Sequence, residues 1–178
     1  MWKAREIDKP AGFNFALTVQ SHGWYDLPPF RLNESAMRLG YVFSDPKTSR
    51  KVYGELSDAG NKIKIELDAA VCEKSRVLED VRRILRLDDD IGGFHKSISG
   101  HESFHWVGKK GAGRLLRSPT VWEDLVKTMC TTNCSWALTR NMVSNLVEKL
   151  GERTTKRKAA FPAAETLAGK MKSFTARK

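Results

Sequence analysis

Cysteine is scarce in this sequence, and long apolar stretches are missing from it. Its three cysteines, Cys72, Cys130 and Cys134, are odd in number and do not fit the paired disulfide framework of a small secreted protein. No run of about 18 apolar residues occurs, and the first residues, MWKAREIDKP, lack the apolar core of a signal peptide. We therefore expect a soluble intracellular protein, in the cytoplasm or nucleoid, or in the nucleus of a eukaryote, with no membrane attachment.

Acidic residues are also in deficit. The chain has 31 Lys and Arg against 21 Asp and Glu, which gives a net charge of +10. Residues 1–117 carry 20 basic and 16 acidic side chains, and residues 118–178 carry 11 and 5, so the C-terminal part holds the larger excess. Positive charge attracts polyanions because each neutralised phosphate releases counterions. The charge favours a nucleic-acid partner, with a merely solubilising surface as the alternative.

Familiar catalytic and cofactor motifs are missing as well. The glycine-rich segment 108–117 (GKKGAGRLLR) has neither the Lys-Ser/Thr pair of a Walker loop nor the spacing of a dinucleotide site, so we interpret it as a flexible basic linker and a domain boundary. The histidines at positions 95, 101 and 105 follow no zinc spacing. Three aspartates, Asp88, Asp89 and Asp90, are interpreted as capping a short helix rather than as binding a metal. We expect no metal and no cofactor.

The spacing of the apolar residues predicts an α+β fold. Segment 13–20 (FNFALTVQ) alternates apolar and polar residues and predicts a strand. Three further strands are predicted at 36–43, 51–56 and 62–67, and the turn-forming segments between them indicate an antiparallel meander. Residues 74–87 place Val77, Val81 and Ile84 on one side and predict a helix that covers one face of this sheet.

Residues 118–151 have the clearest helical pattern in the chain. Ser118, Pro119 and the Thr120–Glu123 spacing are typical of a helix start. The positions predicted to form the buried face of this first helix are Val121, Trp122, Leu125, Val126 and Met129. A second helix is predicted from about Ser135, with apolar positions 139, 142, 143, 146, 147 and 150 and a stop at Gly151. The polar corner 131–134 (TTNC) joins the two helices, and by itself the pattern is an ordinary helical hairpin.

An aromatic loop, SHGWYDLPPFRL, follows the first predicted strand. Pro28 and Pro29 prevent regular strand pairing there. Its rings are those of His22, Trp24, Tyr25 and Phe30. They can line a pocket for a base or another ligand, because flat rings stack on bases, or they can pack beneath the loop as a small core. The pattern favours packing, and no catalytic constellation supports a small-molecule enzyme built on this loop.

Several segments taken together resemble the helix-hairpin-helix DNA glycosylases of base excision repair. They are LRLDDDIGGFHKSI (85–98), GRLLRSPTVWEDLVKTMCTTNCSW (113–136), a helix ending in EKLG (148–151) and AAFPAAETLAG (159–169). The most similar branches are 8-oxoguanine DNA glycosylase and 3-methyladenine DNA glycosylase II. The resemblance covers residues 75–169, and it implies that the N-terminal strands form the family's TATA-binding-protein-like sheet.

This resemblance implies a function. The family flips a damaged base, oxidised or alkylated, out of double-stranded DNA and hydrolyses its N-glycosidic bond. Asn133 matches the position from which a side chain enters the duplex, and its amide is able to fill the gap and hydrogen-bond the orphaned base. The residues expected to contact DNA are Thr132, Asn133, Cys134, Arg153, Lys156, Arg157 and Lys158. The candidates for the base pocket are Gly23, Trp24 and Phe30.

The resemblance also implies a missing part. In the family, the DNA-gripping hairpin, the catalytic aspartate and the Schiff-base lysine of bifunctional members follow the helix that FPAAETLAG matches. We therefore expect a sheet-and-helix domain at 1–112 and a partial helical domain at 113–178, truncated before the active site, with no catalytic residue and no base release by this chain alone. We expect a monomer on duplex DNA. The alternative is a non-catalytic basic module that binds nucleic acid through its phosphates.

Overall fold

The centre of the molecule is a five-stranded antiparallel sheet. A computed structural model describes residues 1–45, 50–71 and 76–175. The strands are β1 (Trp2–Asp8), β2 (Arg31–Asn33), β3 (Arg38–Ser44), β4 (Lys51–Ala59) and β5 (Lys62–Val71). They lie in the order β1-β5-β4-β3-β2, and every neighbouring pair is antiparallel. The three strands predicted at 36–43, 51–56 and 62–67 are thereby confirmed as a meander.

Helices cover this sheet and extend beyond it. Those within the described residues are α1 (Phe15–Val19), α2 (Val77–Leu85), α3 (Gly92–Ile98), α4 (His105–Lys110), α5 (Val121–Thr131), α6 (Trp136–Leu150) and α7 (Ala164–Thr175). α2 buries Val81 and Ile84 in the same apolar cluster as Leu56 and Ile65 of the sheet. The predicted α+β class and the covering helix are confirmed, although Lys74 and Ser75 of that prediction lie outside the described residues. No helix in the described part combines the length and apolar character needed to cross a membrane.

The strand predicted at 13–20 is wrong, because this segment contains α1. The side chain of Asn14 caps the helix by accepting a hydrogen bond from the amide of Leu17 at 3.0 Å. Phe15, Thr18 and Val19 are buried, and this spacing of three and four residues defines one helical face. In so short a segment, Phe13, Phe15, Leu17 and Val19 also alternate with a period of two, so alternation alone does not distinguish the two structures.

Two strands, the charged β1 and the short β2, were not predicted. They occupy the two edges of the sheet. β1 carries Lys3, Arg5 and Glu6, and charged residues are typical of edge strands because they discourage pairing with other molecules. β2 has three residues, which is too few for a period to be recognised.

The segment 108–117 is not the free linker that its glycines predicted. Arg114 is buried and donates hydrogen bonds to the carbonyl oxygens of Arg86 at 2.9 Å and Asp89 at 2.7 Å. The amide of Leu116 donates to the hydroxyl of Ser21 at 3.0 Å. Gly111, at the end of α4, lies against Gly12. These contacts fasten the segment to α2 and to the start of the aromatic loop.

The three aspartates before α3 have different partners. Asp90 accepts a hydrogen bond from the amide of Gly92, the first residue of α3, at 2.7 Å. Asp88 pairs with Arg82, and Asp89 pairs with Arg86. Ile91 occupies the N-cap position of α3 and no side chain caps the helix. The capping prediction is therefore wrong, although Asp90 still bonds to the first amide of the helix, and Asp88 and Asp89 neutralise arginines of α2 and its C-terminal end.

Candidate nucleic-acid interface

The corner between α5 and α6 presents Asn133 to solvent. Asn133 is exposed and has a φ of 53°, a left-handed conformation that asparagine tolerates better than most residues. The hydroxyls of Thr131 and Thr132 cap the end of α5 by donating to the carbonyl oxygens of Thr128 and Met129, each at 2.7 Å. Ser135 caps α6 by accepting from the amide of Leu138 at 3.3 Å. Hydrogen bonds thus fix the residues on both sides of Asn133, while the side-chain amide of Asn133 bonds to no other described residue.

The burial predicted for the helix before this corner is largely inverted. Val121, Leu125 and Met129 are 77%, 53% and 64% exposed. The buried residues of α5 are instead Glu123, Val126 and Lys127. Val126 is therefore the correct part of the prediction, and Trp122 is half-buried. Thr120 caps α5 through the amide of Glu123 at 3.2 Å, as the capping-box spacing indicates.

Glu123 and Lys127 form a buried ion pair at the junction of the sheet and the helices. The ammonium group of Lys127 lies 2.7 Å from Oε1 of Glu123, and the Tyr41 hydroxyl of β3 donates to Oε2 at 2.6 Å. Lys127 also donates to the carbonyl oxygen of Leu27 at 3.4 Å and lies 4.6 Å from the centre of the Phe30 ring. Burial lowers the pKa of Lys127, and burial together with Glu123 raises that of Tyr41 well above its usual range. This pair fixes α5 to β3 and to the aromatic loop.

The aromatic loop lies directly beside the corner. A Cβ atom on Gly23 would be 3.2 Å from the ring of Trp136, the first residue of α6. The indole of Trp24 donates to Asp124 of α5 at 2.9 Å. The amide of Ser118 donates to the same Asp124 oxygen at 2.9 Å. Two segments separated by about a hundred residues in sequence are therefore brought together, and both contain residues predicted to contact DNA.

Asp26 joins the loop to α6. Its carboxylate accepts a hydrogen bond from the indole of Trp136 at 3.0 Å and pairs with Arg140 at 3.2 Å. Asp26, Trp136 and Arg140 were not predicted as site residues, because the sequence offers no signal that links positions so far apart. They hold the loop against the first turn of the helix that follows Asn133.

The predicted base-pocket residues have different environments. Gly23 has a φ of 84°, which suits glycine, and it is covered by Trp136. Trp24 is half-buried and stacks on His22, with ring centres 5.1 Å apart. Phe30 is only 2% exposed and packs against Tyr41 in the core of the sheet. Phe30 is therefore a core residue, and Trp24 packs against the apolar clusters, as the packing interpretation of the loop predicts. In the His22–Trp24 stack, His22 is the exposed ring.

The basic residues predicted to bind DNA lie at the far end of α6. Arg153 and Ala159 pair as an isolated β-bridge, so residues 153–159 form a small hairpin. Arg153, Lys156 and Arg157 are exposed, whereas Lys158 is half-buried 5.6 Å from the ring of Tyr53. The 15 residues of α6 separate this basic hairpin from the corner by roughly 22 Å. The structure thus divides the predicted contacts into two groups.

Two cysteines lie at the corner. Cys130 precedes the corner and Cys134 is its last residue. Both are free and half-buried, and burial raises the pKa of the Cys130 thiol. A raised pKa makes a thiol less reactive at neutral pH. Among the residues that the structure describes, no three His, Cys, Asp or Glu side chains are arranged to hold a metal ion.

The sequence matches no protein-family model and no curated protein, but several solved structures share its fold. The 3-methyladenine DNA glycosylase from Archaeoglobus fulgidus superimposes on 94% of this chain and 58% of its own, with a TM-score of 0.69 and 17% identity. MBOgg1, in complex with a low-affinity DNA ligand, matches 94% of this chain and 54% of its own, with a TM-score of 0.66 and 19% identity. The apo 8-oxoguanine glycosylase/lyase from Clostridium acetobutylicum matches 94% and 55%, with a TM-score of 0.61 and 16% identity.

This chain has a DNA glycosylase fold. The match extends over 94% of this chain, and the chain spans little more than half the length of these glycosylase structures. The predicted fold resemblance is confirmed.

Proposed function

We propose that this chain is part of a DNA glycosylase that removes a damaged base, oxidised or alkylated, by hydrolysing its N-glycosidic bond. Asn133 carries the proposal: it is exposed at a capped corner of a glycosylase fold, with no described partner for its amide. Duplex DNA is the corresponding partner. The Clostridium acetobutylicum 8-oxoguanine glycosylase/lyase of the same fold is also known in complex with double-stranded DNA containing cytosine opposite 8-oxoguanine.

In the proposed mechanism, Asn133 occupies the gap that a flipped nucleotide leaves in the duplex. Flipping costs a few kcal/mol because the base loses its stacking and pairing. An amide in the gap offsets part of that cost, since it both donates and accepts hydrogen bonds at the edge of the orphaned base. Thr132 and Cys134 flank the insertion, Gly23 lies against Trp136 in the first turn of α6, and the Trp24 ring lies beside Asp124 of α5. The proposed domains, 1–112 and 113–178, then contribute one part each to the interface.

Removing the amide of Asn133 tests this role. Wild-type protein is expected to bind a duplex with an abasic gap more tightly than an intact duplex. Asn133→Gly keeps the left-handed backbone and removes the side chain, so we expect this preference to fall by about tenfold, the value of one good base contact. Asn145→Ala, on the exposed side of α6, is the matched control. Fluorescence anisotropy with both duplexes measures the ratio of affinities.

The result also decides between the two functions. If Asn133→Gly leaves the preference unchanged, or if wild-type protein has no preference, Asn133 does not enter the duplex. In that case, the non-catalytic basic module describes the protein better. The basic hairpin is compatible with both functions, because phosphate contacts carry no sequence information.

We expect the 178 residues alone to release no base from duplexes that contain 8-oxoguanine or 3-methyladenine. Two carboxylates that join the loop to the helices already have fixed partners, Asp124 in Trp24 and Ser118, and Asp26 in Trp136 and Arg140. We expect these structural contacts to hold both carboxylates away from a sugar on which positive charge develops. Chromatography of the released bases measures the activity, and a catalytic rate of release would show that an acid of this chain performs the chemistry.

The basic hairpin is expected to contribute to affinity independently of the lesion. Lys156→Gln/Arg157→Gln removes two exposed charges, so the slope of log affinity against log salt will become shallower by about 1.8 for duplex DNA. Lys3→Gln/Lys62→Gln removes the same charge from β1 and β5 of the sheet and serves as the control. An unchanged slope in the hairpin variant would mean that Lys156 and Arg157 do not contact the DNA phosphates. Titrations at several salt concentrations provide the measurement.

A further inference from the structure

Segment 92–110 has almost no core of its own. It contains α3, a 3-10 turn at Glu102–Phe104 and α4. α3 buries none of its residues, and α4 buries only Val107. Three aromatic rings in this segment are about half exposed, those of Phe94 at 47%, Phe104 at 50% and Trp106 at 50%. Single exposed rings are ordinary, but three within 13 residues leave apolar area in this segment that burial by a partner would stabilise.

The charges beside the rings indicate the chemistry of that partner. Lys109 and Lys110 are exposed and follow Trp106 by three and four residues on α4, so the spacing places both lysines on the helical face of Trp106. Segment 92–110 contains three lysines and a single acidic residue, Glu102. Rings flanked by lysines are complementary to a polyanion that also offers flat faces for stacking.

We propose that Phe104, Trp106, Lys109 and Lys110 bind unpaired nucleotides of single-stranded DNA. The two rings stack on bases, and the two lysines bind the phosphates between them, as in single-strand sites that have little sequence preference. Duplex DNA stacks its bases on one another, so it offers only its phosphates to this surface. The surface shares no residue with the corner at Asn133, and the proposal does not depend on glycosylase activity.

The central test measures binding of a short labelled oligothymidine to the 178-residue protein by fluorescence anisotropy. Phe104→Ala/Trp106→Ala is expected to weaken binding by at least about tenfold, because stacking on both rings is lost. Lys109→Gln/Lys110→Gln is expected to weaken it and to reduce the salt slope by about 1.4, the value for two phosphate contacts on a single strand. High salt weakens phosphate contacts but leaves stacking in place. At high salt, wild-type protein is therefore expected to bind the oligothymidine more tightly than a duplex of equal length.

Two controls and a conservative variant separate binding from folding. Val121→Ala/Leu125→Ala trims apolar side chains that are at least as exposed but lie on α5, and Lys3→Gln/Lys149→Gln removes two distant charges. Both are expected to leave the affinity unchanged. Trp106→Phe keeps a ring for stacking, so it is expected to retain most of the affinity while losing most of the tryptophan quenching that binding causes.

Three outcomes would overturn the proposal. The first is an unchanged affinity in a folded Phe104→Ala/Trp106→Ala variant. The second is equal binding of single strand and duplex by wild-type protein with full quenching retained in Trp106→Phe. The third is a concentration-dependent dimer of the wild-type protein that the aromatic variant abolishes, since this would show that the rings pair two copies of the chain instead.

Discussion

Replacing Lys127 with methionine is expected to lower the free energy of unfolding by about 3–5 kcal/mol. Lys127 and Glu123 are 0% and 1% exposed, and the pair is joined at 2.7 Å. Methionine fills much of the lysine volume but leaves the Glu123 carboxylate buried. Among the described residues, the Tyr41 hydroxyl at 2.6 Å is then its one remaining polar side-chain partner. An unpaired buried charge is costly because the protein interior does not replace its lost hydration. Urea unfolding followed by circular dichroism measures the loss.

The double variant Glu123→Gln/Lys127→Met separates the charge from the packing. It removes both charges and keeps a hydrogen-bonding group for Tyr41, so we expect it to recover most of the stability lost in Lys127→Met. The interaction energy between the two changes in a double-mutant cycle should therefore be about 0.5–3 kcal/mol, as it is for groups in contact. Lys149→Met, at an exposed position of α6, is the matched control and should change stability by less than about 0.5 kcal/mol.

An equally large loss in the double variant would contradict this account. It would mean that the methylene groups of Lys127, rather than its charge, hold the junction between Leu27, Phe30 and α5. A loss below about 1 kcal/mol in Lys127→Met would mean that the pair contributes no more than a surface ion pair does. The first result assigns the stability to packing, and the second assigns it to other contacts of the junction.

The burial of this pair explains why the sequence predicted α5 with the wrong face inward. Val121, Leu125 and Met129 repeat every four residues, and Glu123 and Lys127 are separated by the same interval. Periodicity identifies both rows as helical, and the usual preference places apolar residues inside and an i, i+4 ion pair on the surface. The residues that decide which row is buried are distant in sequence: Tyr41 is 82 residues from Glu123, and Leu27 is 100 residues from Lys127. A pattern within one helix contains no information about them.

The remaining differences have a similar origin. The central strands, α2 and α6 were predictable because each has a long apolar period and clear turn signals. The loop and the corner were each recognised from local residues. Their contact, through Gly23 and Trp136 and through Trp24 and Asp124, arises only when the sheet and the helices pack together. Local chemistry thus identified the parts of the candidate site, and tertiary packing determined which parts meet.

Gly111→Ala is expected to destabilise the protein by about 2–4 kcal/mol through a clash that its sequence context did not suggest. Gly111 has a φ of 67° at the end of α4, and a Cβ atom there would lie 1.8 Å from the carbonyl oxygen of Gly12. The backbone must move to relieve that contact. Such a movement would also disturb the neighbouring hydrogen bond, which the side-chain amide of Asn14 donates to the carbonyl oxygen of Lys110 at 3.0 Å. The segment predicted as a flexible linker would then be the place where α4 separates from the start of α1.

Two further glycine variants distinguish the clash from backbone strain. Asparagine adopts a positive φ more readily than alanine, so Gly111→Asn should match wild-type stability if strain alone matters and should be as damaging as alanine if Gly12 is the obstacle. We expect the second result. Gly93→Ala, in α3 with no atom within 4 Å of the added Cβ, should be neutral or stabilising by up to about 1 kcal/mol. Thermal and urea unfolding of the three variants would show whether the carbonyl of Gly12 makes glycine necessary at position 111, and a neutral Gly111→Ala would refute the close contact itself.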